Sequence, residues 1–247
     1  MCRHLAYLGP PVPLSRLLFE PAHSLSHQSW APRDMRGGGT INADGFGVGW
    51  YAADGPVRYR RATPLWSDPD LPGLAASVTA GGVLAAVRSA TAGMPVTAPA
   101  AAPFAEGRWL FSHNGVVAGW PGSVEKLAAD LPTTDLLTLD APTDAALLWA
   151  LVRHRLRRGS GLGEAAAGTV AEVAAAAPGS RLNLLVTDGT TIVASTAGHA
   201  LSALVTPDSV LISSEPLDDN PSWQPIPDRT VLVATPGAVR RIPLGET

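Results

Sequence analysis

The order of apolar and polar residues divides the chain into strands at both ends and helices in the middle. Short runs that alternate apolar and polar residues, or that are apolar throughout, predict β-strands. Before the helical region the predicted strands are Cys2–Leu8, Phe46–Ala52, Val83–Arg88 and Arg108–His113. After it they are Arg181–Thr187, Thr191–Ser195, Leu201–Thr206, Val210–Ser213, Thr230–Ala234 and Ala238–Ile242. We expect the first strand to end at the prolines that follow it, Pro10, Pro11 and Pro13.

Two helices are predicted in the middle of the chain. In the first, Thr143 is a suitable N-cap, and Gly159 stands where a glycine commonly ends a helix. The apolar residues between them recur with helical spacing and form one stripe. They are Leu147, Leu148, Leu151, Val152 and Leu156. The second helix covers Glu164–Ala177, and shorter helical turns are predicted at Leu14–Phe19 and His23–Ser29.

This order of elements predicts an α+β fold. The strands are too numerous for one small sheet, whereas two stacked sheets with helices outside would bury the apolar face of each. Strands and helices do not alternate strictly, which disfavours a doubly wound parallel sheet. The chain has 247 residues without an internal repeat or a long linker, so we expect a single domain over residues 1–247.

Composition and charge exclude several classes of function. Hydrophobic residues make up 46% of the chain and charged residues 16%, which is typical of a folded chain with a buried core. The net charge is −3 and no basic block is present, so we expect no nucleic-acid partner. Early prolines interrupt any secretory signal, and no apolar stretch is long enough to cross a bilayer. We therefore expect a soluble, cytoplasmic protein without a membrane partner.

Cys2 is the one cysteine, which excludes an intrachain disulfide and a cysteine-based metal cluster. Its position also suits catalysis. Once the initiator methionine is removed, Cys2 carries a free α-amino group, which titrates near roughly 8 and can accept the thiol proton. The alternatives are that Cys2 is an ordinary strand residue, or that it pairs with a separate histidine, one of His4, His113 and His199.

Three further places in the chain have groups suited to holding a substrate. The side-chain N–H of Asn114 and the backbone N–H of Gly115 can hold an oxyanion, although Asn-Gly is also the commonest type I′ hairpin turn. Arg88 ends a buried strand, where its guanidinium fits the carboxylate of a substrate or of another side chain. Asp144 opens the first long helix, where it either stabilises the helix dipole or binds an ammonium group.

The sequence predicts neither a metal ion nor a cofactor. The loop Asn42–Gly47 lacks the distal glutamate of a calcium loop and contains no nucleotide-binding glycine motif. His23 and His27 are spaced i, i+4 on a predicted helical turn. The glutamate of a zinc-binding HExxH motif and a third ligand are missing, so we favour a surface or capping role for both histidines.

Six short segments, taken in order, are more informative together than any one of them alone. They are Met1-Cys2-Arg3-His4, Asn42-Ala43-Asp44-Gly45-Phe46-Gly47, Val87-Arg88-Ser89-Ala90-Thr91, His113-Asn114-Gly115, Thr143-Asp144 and Ser214-Glu215-Pro216-Leu217-Asp218. In this order they resemble class II glutamine amidotransferases, which are N-terminal nucleophile hydrolases. The resemblance covers nearly the whole chain and implies a four-layer αββα sandwich, in one class II glutamine amidotransferase-type domain.

The resemblance also implies roles for individual residues. Cys2 is then the nucleophile with its own amine as the base, and Asn114 and Gly115 form the oxyanion hole. Arg88 binds the α-carboxylate of a γ-glutamyl group, and Asp144 binds its α-ammonium group. The partner is a small-molecule γ-glutamyl amide from which glutamate is released, and no cofactor takes part.

Two features narrow the expected substrate. Ser89 follows Arg88 where glutamine-using relatives often have a tryptophan, and no synthase domain that would consume ammonia is present. Together with Pro95–Phe104 and the segment 214–218, this resembles the γ-glutamyl amidases of ergothioneine biosynthesis. Their substrate is a γ-glutamyl-cysteinyl sulfoxide conjugate of trimethylated histidine. The alternatives are a glutaminase subunit that supplies ammonia to a separate synthase, and a non-catalytic γ-glutamyl-binding protein.

A quaternary ammonium in the leaving group restricts which side chains can bind it. It has no N–H to donate, so aromatic faces and nearby carboxylates bind it best. Trp30 and Trp223 lie in polar, proline-bounded loops, which makes them candidates for such a wall. Asp218 and Asp219 are candidates for the charge. Loop packing and an exposed acidic turn are the respective alternatives.

Overall fold

The computed structural model describes residues 2–36 and 41–245. Its strands are β1 (Arg3–Pro13), β2 (Phe46–Ala52), β3 (Gly55–Arg61), β4 (Thr79–Val87), β5 (Phe104–Glu106), β6 (Trp109–Val116), β7 (Arg181–Thr187), β8 (Ile192–Thr196), β9 (Ser202–Val205), β10 (Val210–Ser213), β11 (Gln224–Pro225), β12 (Thr230–Thr235) and β13 (Ala238–Pro243). Its α-helices are α1 (Ser15–Leu18), α2 (Leu25–Trp30), α3 (Leu71–Ser77), α4 (Glu125–Ala129), α5 (Thr133–Leu137), α6 (Asp144–Arg157) and α7 (Leu162–Ala176).

Two antiparallel sheets form the centre of the fold. One has seven strands in the order β11-β9-β10-β1-β4-β2-β3, and the other has six in the order β13-β12-β8-β7-β6-β5. Strands that are distant in sequence pair at the centre of the larger sheet, where β1 lies between β10 and β4. This pairing brings the beginning of the chain beside residues near 87 and 213.

Three apolar layers separate the sheets and helices. Between the sheets, residues such as Leu84 and Leu185 are fully buried. Helices α6 and α7 cover the outer face of the six-stranded sheet, where Trp149 stacks on Phe111 with ring centroids 5.4 Å apart. Helices α1, α2 and α3 cover the outer face of the other sheet, where Leu25 and other leucines pack near Phe46. The predicted four-layer αββα sandwich is therefore confirmed.

The first strand is longer than predicted. β1 continues to Pro13 across Pro10 and Pro11, although these prolines were expected to end it. Its pairing with β4 shifts register between Leu8 and Val12. The two inner prolines fall where the ladder is interrupted, so the N–H groups that they lack are not needed there.

The Asn-Gly pair lies inside a strand. Asn114 and Gly115 belong to β6 and pair with Asn183 and Leu182 of β7. A Cβ atom added to Gly115 would lie 1.9 Å from the carbonyl oxygen of Arg181, so this close approach of two backbones requires glycine. The hairpin-turn alternative for this pair is therefore wrong.

The central helix begins as predicted. The Thr143 side chain accepts the backbone N–H of Ala146 at 3.2 Å, and the apolar stripe of α6 is buried. Several short or edge elements were not predicted, among them β3, β5, α4 and α5, which are too short or too polar for a clear period. No helix in residues 2–36 and 41–245 is long and apolar enough to cross a membrane.

Candidate active site

A pocket opens beside Cys2. Its walls come from the start of β1, the end of β4 and the loop after it, β6, and the first turn of α6. Four of the residues predicted to act on the substrate line it, namely Cys2, Arg88, Gly115 and Asp144. They come from four separate motifs, and the two-sheet fold brings them to one place.

Cys2 lines this pocket and lies just before the first paired residue of β1. Arg3 pairs with Val87 of β4, which places Cys2 beside the loop that follows β4. The Cys2 side chain is half-buried, and its Sγ lies 3.7 Å from the carbonyl oxygen of Ser89. Its thiol therefore faces the segment that carries Arg88.

No histidine of residues 2–36 and 41–245 hydrogen-bonds to the thiol of Cys2. His113 lines the same pocket, but its Nε2 lies 3.0 Å from the carbonyl oxygen of Arg181. His4 is fully buried with its Nδ1 3.1 Å from the Ser112 hydroxyl, and His199 Nε2 lies 3.1 Å from Arg181 Nε. The geometry gives no support to a separate cysteine–histidine pair.

Arg88 holds its position through the backbone. Its N–H donates to the carbonyl of Gly45 at 2.8 Å, and its carbonyl accepts the N–H of Asp44 at 2.9 Å. Its Nη1 donates to the carbonyl of Pro95 at 2.9 Å. Within the described residues no carboxylate lies within ion-pair distance of this guanidinium, so it is available to an anionic ligand.

Asp144 is the first residue of α6, is buried, and lines the same pocket. Its Oδ2 accepts the backbone N–H of Val117 at 3.0 Å, and its Oδ1 accepts the N–H of Ala145 at 2.7 Å. No cationic side chain among residues 2–36 and 41–245 forms an ion pair with it. One pocket thus contains an unpaired guanidinium and an unpaired carboxylate.

The loop Asn42–Gly47 shapes this pocket from outside. The Asp44 carboxylate accepts the N–H of Ala90 at 2.8 Å, which fixes the segment around Arg88. The Asn42 side chain donates to the carbonyl of Ser29 at 3.3 Å. The loop therefore connects the end of α2 to the pocket, as a closely packed turn would.

The Asn114 side chain is not in the pocket wall. It lines a smaller neighbouring cavity together with Arg3, Asp34 and His199, among others. Its Nδ2 lies 3.4 Å from the Ser214 hydroxyl, and its Oδ1 is buried without a partner in the described part of the chain. The structure therefore brings Gly115 to the pocket, and leaves the proposed joint role of Asn114 and Gly115 as a prediction.

The two candidate tryptophans lie outside the pocket wall. Trp30 is half-exposed and packs edge-on against His27, with ring centroids 4.7 Å apart. Because Ser29 bonds to Asn42, Trp30 is near the loop that borders the pocket. Trp223 lies in a different groove, and its Nε1 donates to the Asp218 carboxylate at 2.8 Å. Its packing there follows the loop-packing alternative.

His23 and His27 belong to a hydrogen-bonded chain. Their Nδ1 atoms lie 3.0 Å apart, and His23 Nε2 lies 2.5 Å from the Glu215 carboxylate. Within residues 2–36 and 41–245 there is no group of three histidine, cysteine, aspartate or glutamate side chains arranged to hold a metal ion.

Comparison with known proteins decides the family. Residues 18–208 match the model of the class-II glutamine amidotransferases. The chain belongs to this family. It is 42% identical over 230 residues to the γ-glutamyl-hercynylcysteine sulfoxide hydrolase of Mycolicibacterium smegmatis, covering 93% of each chain. It is 40% identical over 236 residues to the protein of the same name from Mycobacterium tuberculosis strain CDC 1551, covering 95% of this chain and 93% of the relative.

A solved structure of this family has the same fold. It is a glutamine aminotransferase class-II domain protein from Silicibacter pomeroyi, which superposes with a TM-score of 0.68 at 24% identity. The match covers 99% of this chain and 100% of the other. At this level of identity the similarity supports the class-II glutamine amidotransferase fold and no finer assignment.

Sequence reasoning missed two buried charged residues of this family member, Arg3 and Glu215. Arg3 stands next to Cys2 at the start of a mostly apolar strand, and that contrast was a usable signal. Glu215 was noted as part of a motif without a role. The two side chains form an ion pair with Arg3 Nε 2.8 Å from Glu215 Oε1. Nothing in the sequence indicates that residues so far apart would meet.

Proposed function

We propose that the protein is a cysteine-nucleophile hydrolase that releases glutamate from the γ-glutamyl-cysteinyl sulfoxide conjugate of hercynine. The observation that carries the proposal is the single pocket in which Cys2, Arg88 and Asp144 meet. The names of the two mycobacterial relatives, which match over most of their length, support the choice of substrate.

The pocket suits a γ-glutamyl head group. That group has one carboxylate and one ammonium at its α-carbon and an amide at its far end. Arg88 has no side-chain ion-pair partner among the described residues, and a guanidinium fork fits a carboxylate. Asp144 offers the opposite charge in the same pocket. Both charged ends of the substrate thus find a partner, and the amide extends towards Cys2.

The reaction follows from the chemistry of Cys2. After removal of Met1, the free α-amine takes the thiol proton while sulfur attacks the amide carbon. The backbone N–H of Gly115 stabilises the tetrahedral oxyanion, and Asn114, which lines the neighbouring cavity, is the predicted second donor. The protonated amine then gives its proton to the departing nitrogen, and a γ-glutamyl thioester remains on Cys2. Water, deprotonated by the same amine, cleaves the thioester and releases glutamate.

We assign the leaving group to the part of the pocket wall that is made of small and apolar side chains. Ser89 is small, and small or apolar residues such as Ala100, Ala102 and Met94 line the same pocket. Trp30 stands at the bordering loop, where an aromatic face could meet a quaternary ammonium group. We therefore propose Trp30, rather than Trp223, as a contact of the leaving group.

A substrate panel tests this function. Glutamate release is measured with the hercynine conjugate, with γ-glutamyl-cysteine and with glutamine, and Cys2→Ala serves as the inactive control. We expect kcat/KM for the conjugate to exceed that for glutamine by at least about tenfold, because one desolvated cation–π contact contributes roughly 2 kcal/mol. Equal or better use of glutamine would contradict this substrate and favour a subunit that supplies ammonia to a synthase.

A further inference from the structure

Arg3 and Glu215 form a buried ion pair beside the nucleophile. Their side chains are 2% and 4% exposed. We propose that this pair positions Cys2 for catalysis: Glu215 orients the guanidinium of Arg3, and Arg3 holds the carbonyl group of Cys2. The inference rests on the proposed function in one respect, namely that Cys2 is the nucleophile.

Arg3 is held on three sides. Its Nε donates to Glu215, its Nη1 donates to the carbonyl oxygen of Cys2 at 2.9 Å, and its Nη2 donates to the carbonyl oxygen of Asp34. A planar guanidinium bonded through all three nitrogens has one orientation. The position of the Cys2 carbonyl is therefore set by a side chain that cannot turn away from it.

Cys2 needs such a restraint because the sheet does not provide one. The first residue of the β1 ladder is Arg3, which pairs with Val87, so Cys2 lies beyond the last backbone pair. Chain ends that extend past a ladder tend to fray. In the mature protein proposed above, Cys2 would be the terminal residue, and the hydrogen bond from Arg3 at 2.9 Å is shorter than the 3.7 Å contact of its thiol with Ser89.

Each carboxylate oxygen of Glu215 accepts two hydrogen bonds. Its Oε1 accepts from Arg3 and from the backbone N–H of Asp34 at 3.2 Å, and its Oε2 accepts from His23 and from the N–H of Arg33 at 2.8 Å. Burial alone would raise the pKa of Glu215, but the hydrogen bonds from His23 and Arg33 and the charge of Arg3 lower it to about 2. The carboxylate is thus a charged anchor at neutral pH.

The hydrogen bond from Arg3 to the Cys2 carbonyl affects both reacting groups of Cys2. Thiol and amine are both attached to the Cα atom that adjoins this carbonyl, so fixing the peptide plane between Cys2 and Arg3 limits the positions that both groups can take. A misplacement of about 1 Å at a reacting group can lower a rate by roughly 10². The pair is also neutral as a whole. Removing either member leaves one unbalanced charge next to the α-amine, and the sign of that charge decides how the amine titrates.

Two substitutions test how the remaining charge affects the pKa of the α-amine. Glu215→Gln leaves the Arg3 cation, which disfavours the α-ammonium form, so the acidic limb of the kcat/KM profile should move to lower pH. Arg3→Gln leaves the Glu215 anion, and the limb should move to higher pH. In both, kcat should fall by about tenfold to 10². KM for the γ-glutamyl substrate should stay within about twofold, because Arg88 and Asp144 bind the head group.

The other charges around Cys2 are the same in both variants. Shifts of the acidic limb in opposite directions would therefore be caused by the Arg3–Glu215 pair. On the pocket side the titratable or charged groups are Arg88, His113 and Asp144. On the side of the pair they are His4, His23, His27, Arg33, Asp34 and His199. A role limited to stability would lower the amount of folded enzyme without moving the pH profile.

A matched control is available in the helical layer. Asp135 is a buried carboxylate that accepts from Arg157 Nη1 at 2.7 Å, away from the pocket. Asp135→Asn should lower stability and leave the pH profile of kcat/KM unchanged. Intact mass is measured for every variant, because Arg3 is next to the site of methionine removal. Only protein that begins at Cys2 is compared.

The outcomes separate the two proposals. If Glu215→Gln does not fold, the double variant Arg3→Gln with Glu215→Gln removes both buried charges, and it should lose kcat without a shift of the acidic limb. Wild-type kcat in that variant, or unshifted profiles in both single variants, would overturn the positioning role. Full activity of Cys2→Ala would instead overturn the proposed function.

Discussion

The carboxylate of Asp144 accepts the backbone N–H of Val117 at 3.0 Å, which ties the first turn of α6 to the end of β6. The same carboxylate lines the pocket beside Gly115. One side chain therefore joins two walls of the pocket and supplies its negative charge. These two contributions can be separated, because the hydrogen bond needs an acceptor oxygen and the binding of an ammonium needs a charge.

We predict that Asp144→Asn raises KM for γ-glutamyl substrates by at least about tenfold, a loss that corresponds to about 1.4 kcal/mol. The asparagine oxygen can still accept the N–H of Val117, although not that of Ala145 as well, so the melting temperature should fall less than in Asp144→Ala. Asp144→Ala loses the acceptor as well and should be destabilised by about 1–3 kcal/mol. Steady-state kinetics and thermal unfolding of both variants test this. An unchanged KM in Asp144→Asn would remove Asp144 from the head-group site.

We predict that the active protein begins at Cys2, because only then does the nucleophile have a free α-amine. Met1 lies outside the described residues, so intact-mass analysis is the direct measurement, and it should show the loss of one methionine. Cys2→Ala should abolish turnover and still fold, since Cys2 Sγ makes one hydrogen bond in the described structure, to Ser89. Active enzyme that retains Met1 quantitatively would rule out this mechanism.

Substitution of Asn114 tests whether its side chain belongs to the oxyanion hole. We predict that Asn114→Ala lowers kcat by about 10²–10³. Its side chain makes one long hydrogen bond, to Ser214 at 3.4 Å, so the loss of stability should be small. Asn183→Ala is a suitable control, because Asn183 pairs with Asn114 across the ladder and makes several bonds in the interior. The control should be less stable with near-normal kcat, and the reverse pattern would make Asn114 a structural residue.

Local patterns in the sequence predicted the fold well where a segment buries one face. The stripe of α6 with its Thr143 cap is an example, and so is β2, whose bounds agree with the prediction. Local patterns gave the wrong structure where pairing with a strand distant in sequence determines the conformation. Asn114-Gly115 has the composition of a turn, yet β7 continues the ladder past it.

The candidate site was predictable to the extent that its residues form motifs. Cys2, Arg88, Gly115 and Asp144 each stand in a recognisable segment, and the fold brings them together. Which way a side chain points is set by strand register, so the separate position of Asn114 was not predictable. The contact between Arg3 and Glu215 depends on the pairing of β1 with β10, which no local pattern indicates.

The lowered pKa values of two buried histidines, His4 and His199, lead to a prediction of how stability depends on pH. Burial lowers the pKa of His4 to about 3, with further lowering by His113, His199 and Arg3. Burial likewise lowers the pKa of His199 to about 4, with the charges of Arg181 and Arg3 acting in the same direction. Both imidazoles are therefore neutral in the folded protein near pH 6.5, the ordinary value for histidine.

The unfolded chain takes up protons at these histidines below about pH 6.5, whereas the folded protein does so only near pH 3 to 4. The unfolded state then binds more protons, so the free energy of unfolding falls as the pH is lowered through this window. Each histidine contributes a slope of about 1.4 kcal/mol per pH unit. Glu215 lowers the free energy of unfolding further below about pH 4.5, because its pKa in the folded protein is about 2.

His199→Gln tests this prediction, because a glutamine oxygen can replace the Nε2 acceptor that faces Arg181. Urea unfolding is measured from pH 8 to pH 4 for the wild type and the variant. At pH 8 both forms lack a charge at position 199, so any difference there reports packing alone. Between about pH 6.5 and 4 the wild type should lose up to about 3 kcal/mol more than the variant. Parallel curves over this range would show that His199 titrates alike in the folded and unfolded chain.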